Sequence, residues 1–441
     1  MSTANISITD IEQQARDYIA ALPTEQGNWL TQQRNAAAQH ISDLGLPLRK
    51  QEDWRYTSVD PLLKQQFHAT PSQETAINPD QIRQHFLPDE IAARLVFVDG
   101  LFHAGLSSLH ADGLQISSLR QAMQDGRNDL LGGIGQLSGQ PQHVFSALNF
   151  ATMYDGMLLH IAADTRLQRP IELLHISTAA AQGRSINSRH LIRMEKHARA
   201  TLFERYVSLE ADTAYFNNLV LEIELAETAG LKHERVQNES AQAYHLCDLF
   251  IRLHEQAHYH GVNAAVGAAW SRTFVHNRFN QPGANCELDG LYLAGDKQLV
   301  DFHLDIDHAV PGCASRENFK GILYGAGRAV FDGLIRVQEQ AQKSDAHLSN
   351  NNLILSRQAE IDTKPQLEIL ADDVKCSHGT TVGQLDAQAM FYLRSRGLNE
   401  QQARQLLSVG FAVDVLEQLD SDSLREQLTD LINARVSGKT A

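Results

Sequence analysis

Two side chains near the end of this 441-residue chain have the chemistry to hold a metal: Cys376 and His378, within TKPQLEILADDVKCSHGTTVG from Thr363 to Gly383. Leu367 and Ile369 alternate with Gln366, Glu368 and Leu370, which predicts extended chain. In such a chain Asp372, Val374, Cys376 and His378 share one side. A thiolate and an imidazole suit zinc or iron, but a closed site usually takes about four ligands and this spacing supplies two. A partner would have to supply the rest. The plainer reading is a small buried thiol and an ordinary polar residue before a glycine turn.

Other stretches carry weaker signals. DFHLDIDH puts Asp301, His303, Asp305 and Asp307 on one side of a predicted strand, and Cys313 follows soon after. His303, Asp305 and Cys313 are therefore second-rank metal candidates, against the alternative of a solvated outer face. HEQAH, His254 to His258, matches the zinc-protease motif by letter, but that motif needs a helix and Leu249, Ile251 and Leu253 alternate as a strand does. Residues four apart on a strand lie roughly 13 Å apart, too far to share one ion. A solvent corner is expected there.

Cys247, Cys286 and Cys313 have no C-x-x-C partner, which excludes zinc-ribbon, ferredoxin and thioredoxin patterns and leaves buried thiols. Phosphate-loop, dinucleotide and nucleophile-elbow motifs are missing too, so no ATP or NAD site is expected. A formal charge of −15 with no basic cluster argues against a nucleic-acid surface. Hydrophobic residues make up 43% of the chain, yet no apolar run approaches a membrane span and the start lacks a signal core. A soluble, unexported chain with free thiols is expected, in a reducing, cytoplasmic compartment.

The elements that must position Cys376 and His378 follow from periodicity. Residues 1–93 read as helical: one helix begins near Thr9 and stops at Pro23, and a second runs from near Thr24 to Leu44 before Gly45. KQEDWRYTSVDP follows, with Trp54 and Tyr56 expected as packing anchors. Residues 94–155 form a mixed lead-in, with a hairpin turn at Asp99-Gly100, a loop marked by Gly132, Gly133 and Gly135, and a helix over Val144–Met153. From 156 to 383 short β runs recur between polar corners, the pattern of a solenoid. Ser349 to Leu353 is expected to stack asparagines in a turn, and Asp289-Gly290 and Asp332-Gly333 to open strands. Residues 384–441 return to helix, with Asn399 and Gln402 as a capping box.

KPQLEILADDVKCSHG, TTVG and the later FYLRSRG together resemble the C-terminal signature of the SufB/SufD family of iron-sulfur cluster assembly proteins, and EDWRYT, Glu52 to Thr57, resembles its SufD branch. The resemblance implies a mainly β fold, a right-handed parallel β-helix flanked by helical ends. It implies a non-catalytic scaffold that pairs with a SufB paralogue, with a homodimer possible in its absence. His378, with Cys376, would then touch a transient iron-sulfur cluster or iron shared with SufB. The C-terminal helices would dock the ATPase SufC, with Arg394, Arg396, Leu406 and Phe411 as expected contacts.

Two alternatives stay open. A purely structural adaptor would use Cys376 and His378 only for packing. A β-helix carbohydrate-active enzyme would use Asp305 and Asp307 as acid and base, although such enzymes are usually exported.

Overall fold

The computed structural model describes residues 6–22, 28–69, 75–109 and 111–437. Its centre is a parallel β-solenoid of about eight turns. One sheet stacks the strands Met157–Ile161, Arg184–Met194, Phe216–Leu225, Tyr244–Leu253, Trp270–Phe279, Leu299–His308, Arg328–Val337 and Glu360–Ile369. The other stacks Ile171–Ser177, Arg199–Ser208, Gly230–Asn238, His258–Ala265, Asn285–Ala294, Ala314–Leu323, Asp345–Ile354 and Lys375–Gly383. The expected parallel β-helix is therefore present.

Alternation along each strand decides what lies between the sheets. Phe302, Leu304 and Ile306 point inward with Cys286, Leu288, Phe319 and Phe331 in one continuous core. The corners are equally regular. Asp164, His197, Thr228, Gln256 and Lys343 take positive φ without being glycine, at about 1–2 kcal/mol each. Corner-to-corner bonds hold them: His197 N–H donates to Glu227 O at 3.0 Å, Thr228 to Glu255 O at 2.7 Å, and Gln256 to Pro282 O at 3.1 Å. HEQAH is such a corner, with Gln256 at its turn, as the strand periodicity predicts.

The two ends of the solenoid differ. At the first end the Asp99-Gly100 turn joins Ala93–Val98 to Leu101–Phe102, both turn residues at positive φ, and Leu114–Ser118 runs antiparallel to Met157–Ile161. These strands close both sheets. At the other end Glu360–Ile369 and Lys375–Gly383 each pair on one side only among the described residues.

Helices cover the outer faces. Ile8–Ala21 starts from Ser7, whose side chain makes a capping box with Asp10, so the cap is Ser7 and not Thr9. Asn28–Leu44 ends before Gly45 at φ 68°; the expected start at Thr24 lies outside the described residues. These helices and the fully buried Val144–Thr152 pack on the first sheet. Ala387–Ser395, Glu400–Leu416 and Asp422–Val436 follow the last strand, and the latter two pack on the second sheet. Asn399 and Gln402 form the expected capping box. No helix among the described residues is long and apolar enough to cross a membrane.

Two local expectations need correction. Ser349 to Leu353 is mid-strand, with Asn350 and Asn352 turned inward, where Asn350 Nδ2 donates to Tyr292 Oη at 2.9 Å. Asp289-Gly290 and Asp332-Gly333 also sit mid-strand. Gly290 is required there because a Cβ would approach Phe319 Cδ1 to 2.1 Å. Alternating polar and apolar residues conceal this, since an inward asparagine reads like an outward one.

Trp54 is the expected anchor. Its ring packs on Phe145 and Phe274, and the Arg272 guanidinium lies 4.0 Å from its centroid and 4.2 Å from that of Phe274. Arg272 also donates to Asp301 and to Asp53 O, while Thr57 Oγ1 donates to Asp301. This fully buried pair fixes the EDWRYT segment to the sheet. Asp301→Ala strands the arginine and is expected to cost about 3–5 kcal/mol in urea unfolding. The double change Arg272→Met with Asp301→Leu should recover most of that loss, and no recovery would show that the ion pair is not the main contribution.

Candidate functional site

Register places the two donors of the terminal strand. Cys376 lies beside Ala346, His378 beside Leu348, Thr380 beside Asn350 and Val382 beside Asn352. All four neighbours point inward and are buried. Cys376, His378, Thr380 and Val382 thus continue interior columns into a coil that no further coil covers among the described residues. Cys376 is half-buried against the core, and His378 is exposed. Two residues apart along a strand, their Cα atoms are separated by roughly 6.6 Å on one face. Burial pushes the Cys376 thiol up, so ligation there must displace a proton.

Behind the pair a hydrogen-bonded patch stiffens the open end. Thr363 Oγ1 donates to Asn350 Oδ1 at 2.9 Å and lies 3.1 Å from Thr380 Oγ1. Asn352 Nδ2 donates to Asn350 Oδ1 at 2.7 Å. The thiol and imidazole therefore stand on a braced edge.

The second-rank metal candidates do not assemble. Asp301, His303, Asp305 and Asp307 do share the outer side of Leu299–His308, but they are not simply solvated: Asp301 and His303 are buried under the EDWRYT segment. His303 Nε2 is 3.3 Å from Asp301 Oδ1. Asp305 binds the Arg336 guanidinium, and Asp307 is 3.1 Å from that of Arg278. Cys313 lies on the other side of the wall, in the interior core, with its thiol pushed up by burial. Cys313 belongs to the corner after this strand, immediately before Ala314–Leu323 of the other sheet.

Sequence reading missed a polar group inside the solenoid. His175, His190 and Glu204 bring ligand atoms within 4.8 Å of one another, all buried. Burial holds both histidines neutral: His190 is lowered to about 4 and His175 falls well below its usual value. Burial alone would raise Glu204, but His233, 2.7 Å away, and Arg235 bring it below the usual carboxylate range. The set is a poor metal centre. His190 Nδ1 accepts the Met157 N–H at 2.8 Å, which puts its proton on Nε2 and leaves that atom a donor. The available signal was parity: His175 shares its side with Ile171 and Leu173, and Glu204 with Leu202.

At the C-terminal helices, Arg394 and Arg396 are exposed, Leu406 is 53% exposed, and Phe411 is partly packed with Lys320 Nζ 5.0 Å from its ring centroid. Phe391 and Tyr392 on Ala387–Ser395 are 75% and 55% exposed.

Fold and site together define a class: a two-sheet parallel solenoid with helical ends, closed at one end and presenting a thiol and an imidazole at the other. Two family models match, "SufBD protein N-terminal region" over residues 4–173 and "SUF system FeS cluster assembly, SufBD core domain" over residues 175–411. The chain belongs to the SufBD family of iron-sulfur cluster assembly proteins and is SufD-like. It is 34% identical to the iron-sulfur cluster assembly protein SufD of Escherichia coli, covering 92% of this chain and 94% of that protein. It is 32% identical to a SufBD family protein of Synechocystis, covering 97% and 95%, and 27% identical to the chloroplastic protein ABCI7 of Arabidopsis thaliana, covering 89% and 83%.

Burial of Cys247, Cys286 and Cys313 against partial exposure of Cys376 yields a chemical test. Native protein treated with iodoacetamide should gain one label, at Cys376, and four after denaturation. The native rate should rise with pH to a midpoint above that of an ordinary cysteine, because only the thiolate reacts. Labelling of an interior cysteine at a comparable rate would contradict this placement.

Proposed function

We propose that this chain is the SufD-like scaffold subunit of a cytoplasmic assembly complex, in which a SufB-like paralogue joins the open end of the solenoid. The observation that carries the proposal is the terminal coil, where Cys376 and His378 continue the interior columns on strands that pair on one side only among the described residues. A second solenoid would extend those edges and supply the missing ligands. An iron-sulfur cluster, or iron, is then cargo shared between two chains, with His378 as the principal donor here and Cys376 as its companion. Thiolate and imidazole are both suited to iron, and a ligand set split between chains lets the cargo leave when the chains shift.

The segments divide the work. The N-terminal helices and lead-in, 1–93 and 94–155, brace the β-helix of 156–383, and the helices of 384–441 dock a SufC-like ATPase through Arg394, Arg396, Leu406 and Phe411. Exposure of Arg394, Arg396 and Leu406 beside Phe391 and Tyr392 supports that docking face, while Phe411 contributes mainly by shaping it. ATP hydrolysis belongs to that partner, which changes cluster affinity only through contacts that differ between two states. Without the paralogue, two copies of this chain pair through the same edges.

His378→Ala in the anaerobically purified complex is the test. Cluster content per complex should fall at least about tenfold, with subunit stoichiometry unchanged, as expected for loss of a ligand. An intact complex with unchanged cluster content would favour the structural adaptor.

A further inference from the structure

The glycine-rich loop at residues 132–139 has no part in the open end, yet a buried carboxylate holds it. Glu222, fully buried, accepts the N–H of Gly135 at 2.9 Å, of Leu137 at 2.9 Å and of Ser138 at 3.2 Å. Arg189 neutralises Glu222, with Nε at 2.9 Å, and also donates to Ser138 Oγ and Asn149 Oδ1. A loop of this composition often cradles phosphate with its amides, but here a carboxylate from the protein already occupies them. The loop is therefore not an anion site.

What it does is form one wall of a cavity of about 740 Å³. Ala36 and Ala37 of the helix Asn28–Leu44 form the opposite wall, and Leu131, Ile134 and Phe150 add apolar surface. Gly135, at φ 78°, is needed because a Cβ would come within 2.7 Å of Phe150 Cε2. Gln33, Gln136 and Gln140 supply the polar groups, and among the described residues no ionisable side chain lines the space. The volume falls within the range usual for small-molecule sites, roughly 300–1,000 Å³.

We propose that this cavity is a binding site for an uncharged small molecule with an apolar body and a carbonyl- or amide-bearing edge. The lining sets the class. A charged group would meet no counter-ion among the described lining residues, whereas glutamine amides both donate to and accept from neutral polar edges. The buried Glu222–Arg189 pair holds the loop in place before a ligand arrives, which reduces the ordering cost of binding.

Nile red, an uncharged ring system with one carbonyl edge, is a suitable probe. Titrated into the full chain it should give saturable, blue-shifted fluorescence. Ala36→Trp fills the space from an exposed helical position, and Gln140→Glu adds a charge at the rim. Each should weaken binding at least tenfold while leaving the thermal unfolding midpoint and far-ultraviolet spectrum unchanged. Phe391→Ala, on the distant apolar surface, should leave the titration as it is. Absence of saturable binding to the unmodified chain would overturn the proposal. So would wild-type affinity in both folded cavity variants, which would locate the dye elsewhere.

Discussion

Each coil of a parallel solenoid must find its backbone hydrogen bonds and its hydrophobic cover on the coil beside it. Everything in this molecule follows from where that stacking begins and where it stops. At the first end an antiparallel hairpin and the strand Leu114–Ser118 close the two sheets. At the second end Glu360–Ile369 and Lys375–Gly383 meet no further strand among the described residues. An edge of this length invites pairing, and natural proteins normally blunt such edges unless they use them. The same interruption of stacking uncovers Cys376 and His378, so the open edge and the exposure of these two side chains share one cause.

The rest of the structure keeps that end in shape. Arg272, held between Trp54 and Phe274 and paired with Asp301, fastens the N-terminal segment to one sheet. On the other sheet the C-terminal helices are held by Lys232 to Asp420, Lys320 to Asp414 and the apolar contacts of Ala412, Val415 and Leu416. Each helical end thus covers a face and leaves the edges clear. A rigid body with clear edges suits a subunit whose chemistry is completed by a neighbour.

Much of this was legible in the sequence because period-two alternation and corner residues are local signals. The strand around Leu249, Ile251 and Leu253 ruled out a zinc-protease helix at His254, and the corner at Gln256 bears this out. Alternation along Leu299–His308 likewise placed its acids on one side. What escaped was whatever depends on which side faces in and what lies across the wall. Asn350 and Asn352 read as turn residues and are interior ligands of Tyr292, and Cys313 is near His303 in sequence but on the opposite side of the sheet. His175, His190 and Glu204 come from three separate strands, so only the coil register unites them. Cys376 and His378 stood out through the resemblance of their surroundings, while their placement on an uncovered coil required the fold.

The central claim is that the uncovered terminal coil is the surface a SufB-like partner completes. Backbone amide hydrogen exchange of residues 360–369 and 375–383, followed with the chain alone and within the anaerobically assembled complex, addresses it most directly. Outward-facing amides of these strands should exchange readily in the isolated chain when it is monomeric and become strongly protected in the complex, while interior strands such as Tyr244–Leu253 stay unchanged. Equal exchange of the two edge strands in both states, with the partner bound, would contradict the account.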